Sequence, residues 1–118
     1  MDYKKEDLLD FSIIQGLKEM NDDENDFFKE ILNLYIEQYP ELYNKIVETA
    51  KSNDLDSLSK TAHALKGASL NIGAKELASI CKTIELNSKN GISDGNDELI
   101  QKIQQIYGLT IEAMNSLE

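Results

Sequence analysis

The chain of 118 residues contains no tryptophan and no arginine, and only one proline, one cysteine and one histidine. Each scarcity excludes something. One proline and six glycines are too few for a many-turned β fold and point to long helices with few connections. A lone Cys81 rules out a disulfide framework within the chain and a zinc site of the usual cysteine spacing. It falls in an apolar helical stripe, so it is expected as a small core residue rather than a reactive thiol. Without arginine the common contacts for base readout are missing. With 22 acidic against 12 basic residues, a formal charge of −10, a phosphate backbone would also be repelled, so nucleic acid is not an expected partner. No stretch approaches the ~18 apolar residues of a membrane span, and none is expected. The start, MDYKKEDLLD, has no apolar signal region, which makes the cytoplasm the expected compartment.

What remains is 41% apolar, enough for one packed core. A single domain over residues 1–118 is expected. Residues 5–20 carry a mixed apolar pattern and predict a short N-terminal helix. After the polar break Asn21–Asp26, the residues Phe27, Phe28, Ile31, Leu32, Leu34, Tyr35 and Tyr39 recur at helical spacing. Pro40 then either kinks one long helix or starts a new one, and the sequence leaves both open. From Leu55 to Ile72 the apolar side is Leu55, Leu58, Ala62, Leu65, Ser69 and Ile72, spaced alternately by three and four. Gly73 is a natural helix stop. Leu77, Ile80, Cys81, Ile84 and Ser88 mark the next helix, and Leu99 to Met114 the last. Short loops between long helices make neighbours antiparallel. The fold class is therefore all-α: an up-and-down four-helix bundle with a short additional N-terminal helix. A monomer is the default.

The histidine belongs to the third of these segments, in the run Ala62-His63-Ala64-Leu65-Lys66-Gly67-Ala68-Ser69-Leu70. At ~100° per residue, His63 lies roughly 130° from the centre of the apolar stripe and Gly67 roughly 170°. Lys66 lies roughly 70° away and Leu70 roughly 110°. His63 and Gly67 thus face solvent on adjacent turns. Lys66 stands beside them with its charge expected to be exposed, and Leu70 is left outside the core. A glycine in a helix interior costs ~1 kcal/mol relative to alanine and needs a reason. An exposed imidazole flanked by a glycine and an apolar side chain makes a flat landing place for another protein. Imidazole is neutral and nucleophilic near its unperturbed pKa of ~6.5. It can attack phosphorus directly. Lys66 would offset charge on the phosphoryl oxygens, and Gly67 would remove a side chain that blocks approach. No nucleotide-binding loop and no metal-ligand spacing is present, so no cofactor and no metal is expected on this chain.

The run His63-Ala64-Leu65-Lys66-Gly67-Ala68-Ser69, followed by Ile72-Gly73-Ala74, resembles the signature of histidine-containing phosphotransfer (HPt) domains of multistep two-component phosphorelays. Tyr39-Pro40-Glu41-Leu42, Asn53-Asp54-Leu55-Asp56-Ser57-Leu58 and Cys81-Lys82-Thr83-Ile84-Glu85 extend the likeness over roughly residues 25–90. The resemblance implies that His63 is the phosphoacceptor. It would take its phosphoryl group from an aspartyl phosphate on a receiver domain and yield it to a second receiver, with Mg²⁺ held by the receiver. Response regulator receiver domains and a hybrid histidine kinase are the implied partners. Lys66 and Gly67 match the family's accessory positions, and Ser69 a small-residue position that helps helix packing. Glu85 matches a position where some members carry Gln close to the histidine. It would orient the ring, repel the phosphoryl group, or be an ordinary solvated carboxylate. Docking in the family is largely apolar, which makes Leu70, Phe11, Ile13, Ile14 and Leu17 candidates. The resemblance also leaves an alternative, a non-catalytic adaptor bundle that binds a receiver or kinase without phosphotransfer.

Overall fold

A computed structural model describes residues 3–117 of the chain. Six helices follow in order: α1 Lys5–Leu8, α2 Phe11–Glu19, α3 Phe27–Lys51, α4 Leu55–Ile72, α5 Lys75–Lys89 and α6 Asn96–Asn115. The described residues form no strand.

Helix boundaries follow from local chemistry. Asp10, Asp26 and Asp54 cap α2, α3 and α4, each carboxylate accepting from backbone N–H groups of the first turn. Gly73 ends α4 with φ +84°, a left-handed conformation that glycine adopts at little cost. A Cβ there would meet Asp10 O and Ile14 Cγ1 at 3.0 Å, so the glycine also lets the N-terminal segment press close. Gly95, φ +85°, turns the chain into α6.

The expected single helix over residues 5–20 is two helices. Leu8 and Leu9 are consecutive and both buried. A continuous helix turns neighbours ~100° apart, whereas the extended backbone at Leu9 and Asp10 sends both inward. Asp10 then caps α2 and donates its N–H to Gly73 O at 2.8 Å. Pro40 neither breaks nor ends α3, which runs through it for 25 residues. The missing N–H forfeits one helical hydrogen bond. Its neighbour Tyr39 stacks on Tyr43 and Tyr107, 5.6 and 3.5 Å between ring centroids, and donates its hydroxyl to Gln104 Oε1 at 2.6 Å. These contacts fix the helix on both sides of the proline.

Helices α3 to α6 form an up-and-down bundle with antiparallel neighbours. Packing is densest between α4 and α5, then between α3 and α4. Leu58, Ala62, Leu65, Ser69 and Ile72 of α4 are all buried, as the seam predicts, and so are Leu77, Ile80, Cys81, Ile84 and Ser88 of α5. The Ser69 hydroxyl pairs with the Tyr35 hydroxyl at 2.8 Å, which satisfies both inside the core. Helix α1 lies on α5 and α6, and α2 on α3 and α4. Together they cover one end of the bundle.

Candidate functional site

The densest pair of helices, α4 and α5, carries the site. Because they run antiparallel around the Gly73 turn, the middle of α4 lies opposite the last two turns of α5. His63 and Lys66 therefore face Glu85 and Lys89, residues some twenty positions away in sequence.

The side chain of His63 is 66% exposed. Its Nδ1 lies 2.9 Å from Glu85 Oε2. Glu85 is not a solvated carboxylate: the residue is only 4% exposed. Lys66 Nζ donates to its Oε1 at 2.7 Å and Lys89 Nζ reaches Oε2 at 3.2 Å. A buried carboxylate is tolerable when its oxygens are this fully engaged. Desolvation pushes the Glu85 carboxyl upward, but bonds from Lys66, Lys89 and His63 outweigh it and bring it down to about 2. Glu85 is thus an anion at any ordinary pH.

An anionic carboxylate accepts hydrogen bonds and donates none, so the nitrogen facing it carries the proton. The imidazole is held as the Nδ1–H tautomer. Nε2, on the far side of the ring, has no partner among the described residues. The ring is oriented through one nitrogen and left open at the other.

Lys66 departs from expectation. Its side chain is only 22% exposed, because the ammonium leans toward α5 and the carboxylate. Its position on the flank nearer the apolar stripe is what brings it there. Gly67 has open space where a Cβ would stand, with nothing within 4 Å. Leu70 and Phe11, at 50% and 41% exposed, and Ile13 present apolar surface. Ile14 does not. It is 3% exposed and packs under Gly73, where it fixes α2 to the end of α4 instead of offering a docking contact. Leu17 is half-buried and also turned largely inward.

Sequence reasoning missed Lys89 and Lys60. Both line an open hollow beside His63, with Ser59 and Glu85. Their signal was present: Lys89 follows Glu85 by four residues on α5, and Lys60 precedes His63 by three on α4, so each shares a face with its neighbour. Lys60 is held by Asp56 at 3.0 Å. Cys81 lies wholly buried next to this cluster, and burial pushes its thiol up to about 12, which leaves it an unreactive core residue.

A profile of the family described as the Hpt domain matches residues 30–114. Two curated proteins are similar to this chain. One is phosphorelay intermediate protein YPD1 of Candida albicans, 27% identical over 78 residues, covering 66% of this chain and 42% of that protein. The other is multistep phosphorelay regulator 1 of Schizosaccharomyces pombe, 33% identical over 90 residues, covering 72% and 30% respectively. The chain thus spans less than half the length of these two relatives. Among solved structures, histidine-containing phosphotransfer protein B of Pseudomonas aeruginosa PAO1 matches with a TM-score of 0.81 and 25% identity, over 92% of each chain. The histidine-containing phosphotransfer protein MtHPt2 of Medicago truncatula matches in fold with a TM-score of 0.81 at 22% identity, over 93% of this chain and 76% of that one.

Proposed function

The chain belongs to the Hpt domain family, and on that premise we propose that it is a phosphocarrier whose phosphoacceptor is Nε2 of His63. The phosphoryl group comes from an aspartyl phosphate on a response regulator receiver domain and leaves to the aspartate of a second receiver. The observation that carries this reading is the state of the ring: an imidazole 66% exposed, with Nδ1 tied to Glu85 and Nε2 free. Such a ring attacks phosphorus without a base, because its reacting nitrogen bears no proton.

Each neighbour has a part. Glu85 fixes tautomer and orientation. Lys66 and Lys89, already within reach of the ring, are placed to turn toward the incoming phosphoryl oxygens and offset their charge. Gly67 leaves room for the partner's active-site loops, and Leu70, Phe11 and Ile13 supply apolar contact around the meeting point. This chain contributes a nucleophile and its setting. The divalent ion and the remaining groups of the reaction belong to the receiver, and a hybrid histidine kinase stands upstream. The proposal places the protein in the cytoplasm as a monomer; no helix among the described residues is long and apolar enough to cross a membrane.

Incubation with a phosphorylated receiver domain tests the assignment. The wild type should acquire an acid-labile, base-stable phosphate, and His63→Gln, with its fold intact by circular dichroism, should acquire none. Labelling that persists in His63→Gln would sink it.

A further inference from the structure

In the unphosphorylated protein, Glu85 does more than orient a ring. It is a buried anion in direct contact with Nδ1, and its other charged partners are the two ammonium groups of Lys66 and Lys89. The consequence appears once Nε2 bears a phosphoryl group, and it rests on the reading of His63 as phosphoacceptor.

When the Nε2 lone pair attacks, a P–N bond forms and the P–O bond to the donor aspartate breaks, the electron pair leaving with the carboxylate. The Nδ1 proton is still in place, so the ring becomes a cationic imidazolium bearing a phosphoryl dianion. In water such a ring sheds its Nδ1 proton near neutrality, and the neutral phosphoimidazole that results is a poor leaving group. The protonated ring is the better one. On discharge, the P–N bond breaks, its pair returns to Nε2 and a P–O bond forms to the second receiver. If the Nδ1 proton stays on throughout, the whole cycle moves no proton.

We propose that Glu85 is a positioning residue that keeps the Nδ1 proton on phosphorylated His63 and thereby holds the phosphohistidine in its readily discharged, imidazolium form. An opposite charge in contact favours the charged form of a group, and the effect is strong where water is excluded. The groups facing the ring set the balance. Glu85 and the phosphoryl dianion favour the cationic ring. Lys66 and Lys89 oppose it, and the phosphoryl oxygens draw their charge away from Nδ1. Lys60 is engaged by Asp56. Cys81, adjacent to Glu85, is a neutral thiol. Among the described residues no ion pair from α1, α2, α3 or α6 reaches the cluster. A glutamine at position 85 would not provide this bias. Neutral, it can donate its amide to a bare Nδ1 as readily as accept from a protonated one.

The test uses the full chain labelled with ¹⁵N in the histidine ring and phosphorylated by phosphoramidate or by a phosphorylated receiver. Ring nitrogen shifts at pH 7.5 should show phosphorus on Nε2 and a proton on Nδ1. In Glu85→Gln the phosphohistidine should lose that proton about one pH unit lower or more, so that above neutrality its lifetime is about tenfold longer. A bare Nδ1 in the phosphorylated wild type, phosphorylation at Nδ1, or equal lifetimes of wild type and Glu85→Gln across pH 6–9 would overturn the proposal. Should Glu85→Gln fail to fold, the wild-type nitrogen shifts decide alone. Labelling that survives in His63→Gln would instead remove the phosphoacceptor reading, so the two failures are separate.

Discussion

The α4–α5 hairpin and the α3–α6 pair both bury polar side chains, and they dispose of them in opposite ways. Between α3 and α6 the buried tyrosine hydroxyls are consumed internally. Tyr39 donates to Gln104, its ring is stacked on Tyr107, and Tyr35, against the neighbouring α4, closes on Ser69. Burial pushes the phenols of Tyr35 and Tyr39 well above the usual range, which leaves them neutral and inert. In the hairpin a carboxylate is buried instead, and two of its three partners, His63 and Lys89, stay largely exposed. The same bundle frame therefore yields a mechanical seam on one side and an exposed, ion-paired imidazole on the other. Charge follows the division. Residues 55–89 hold five lysines against Asp56, Glu76 and Glu85, a formal +2 in a chain whose total is −10. An anionic group approaching the bundle would meet here the one segment whose net charge does not repel it.

That contrast can be broken at several points. Tyr39→Ala should have the largest effect on stability, about 3–5 kcal/mol by denaturant titration, since two ring stacks and a hydrogen bond go with it. Phosphoryl acceptance by the molecules that remain folded should be unchanged; a matching loss in the rate per folded molecule would refute the separation of the two halves. Lys66→Ala should lower stability by about 1–3 kcal/mol because a buried carboxylate loses a donor. It should also slow labelling of His63, and a fully stability-neutral Lys66→Ala would show that the 2.7 Å contact carries no weight.

The Glu85 carboxyl is depressed in the folded state from its ordinary value of 4.5 to about 2. A depressed acid stabilises the fold above its unfolded value, and that contribution is lost as pH falls through the folded one. Acid titration followed by circular dichroism should therefore show a loss of stability between about pH 4.5 and about pH 2 that is smaller in Glu85→Gln. Equal slopes in the two proteins would mean that the ion cluster does not persist in solution. Gly67→Ala should stabilise the fold by about 0.5–1 kcal/mol, because the position is helical and open. Transfer from a receiver should nonetheless slow, and an unaltered rate would remove the steric role of Gly67. Lys60→Ala, at the exposed edge of the hollow, should shift stability by less than about 0.5 kcal/mol.

Periodicity alone located the α4 seam, and every inward position from Leu58 to Ile72 is buried as expected. The same seam placed His63 outward, because the angle of one residue on a helix follows from that of its neighbours. The break at Leu9–Asp10 was not legible: two adjacent leucines fit a helix pattern until the bundle end demands both. Ile14 failed as a docking residue for a related reason. Its neighbours in sequence are exposed, and only the close approach of α2 to Gly73 covers it. Lys66 fell on the predicted flank, but nothing local could say that an acid would be waiting across the helix interface.

By itself, the sequence determined the all-helical class, the inward and outward faces of each long helix, and the outward placement of the one histidine. Those are properties of one helix at a time, governed by a period of 3.6 residues. The tertiary structure decided which nitrogen of His63 is free. That depends on Glu85, 22 residues away, and on the antiparallel packing that brings the last turns of α5 against the middle of α4. Charge, tautomer and reactivity at the site are fixed by contacts between helices, and no pattern within either helix contains them.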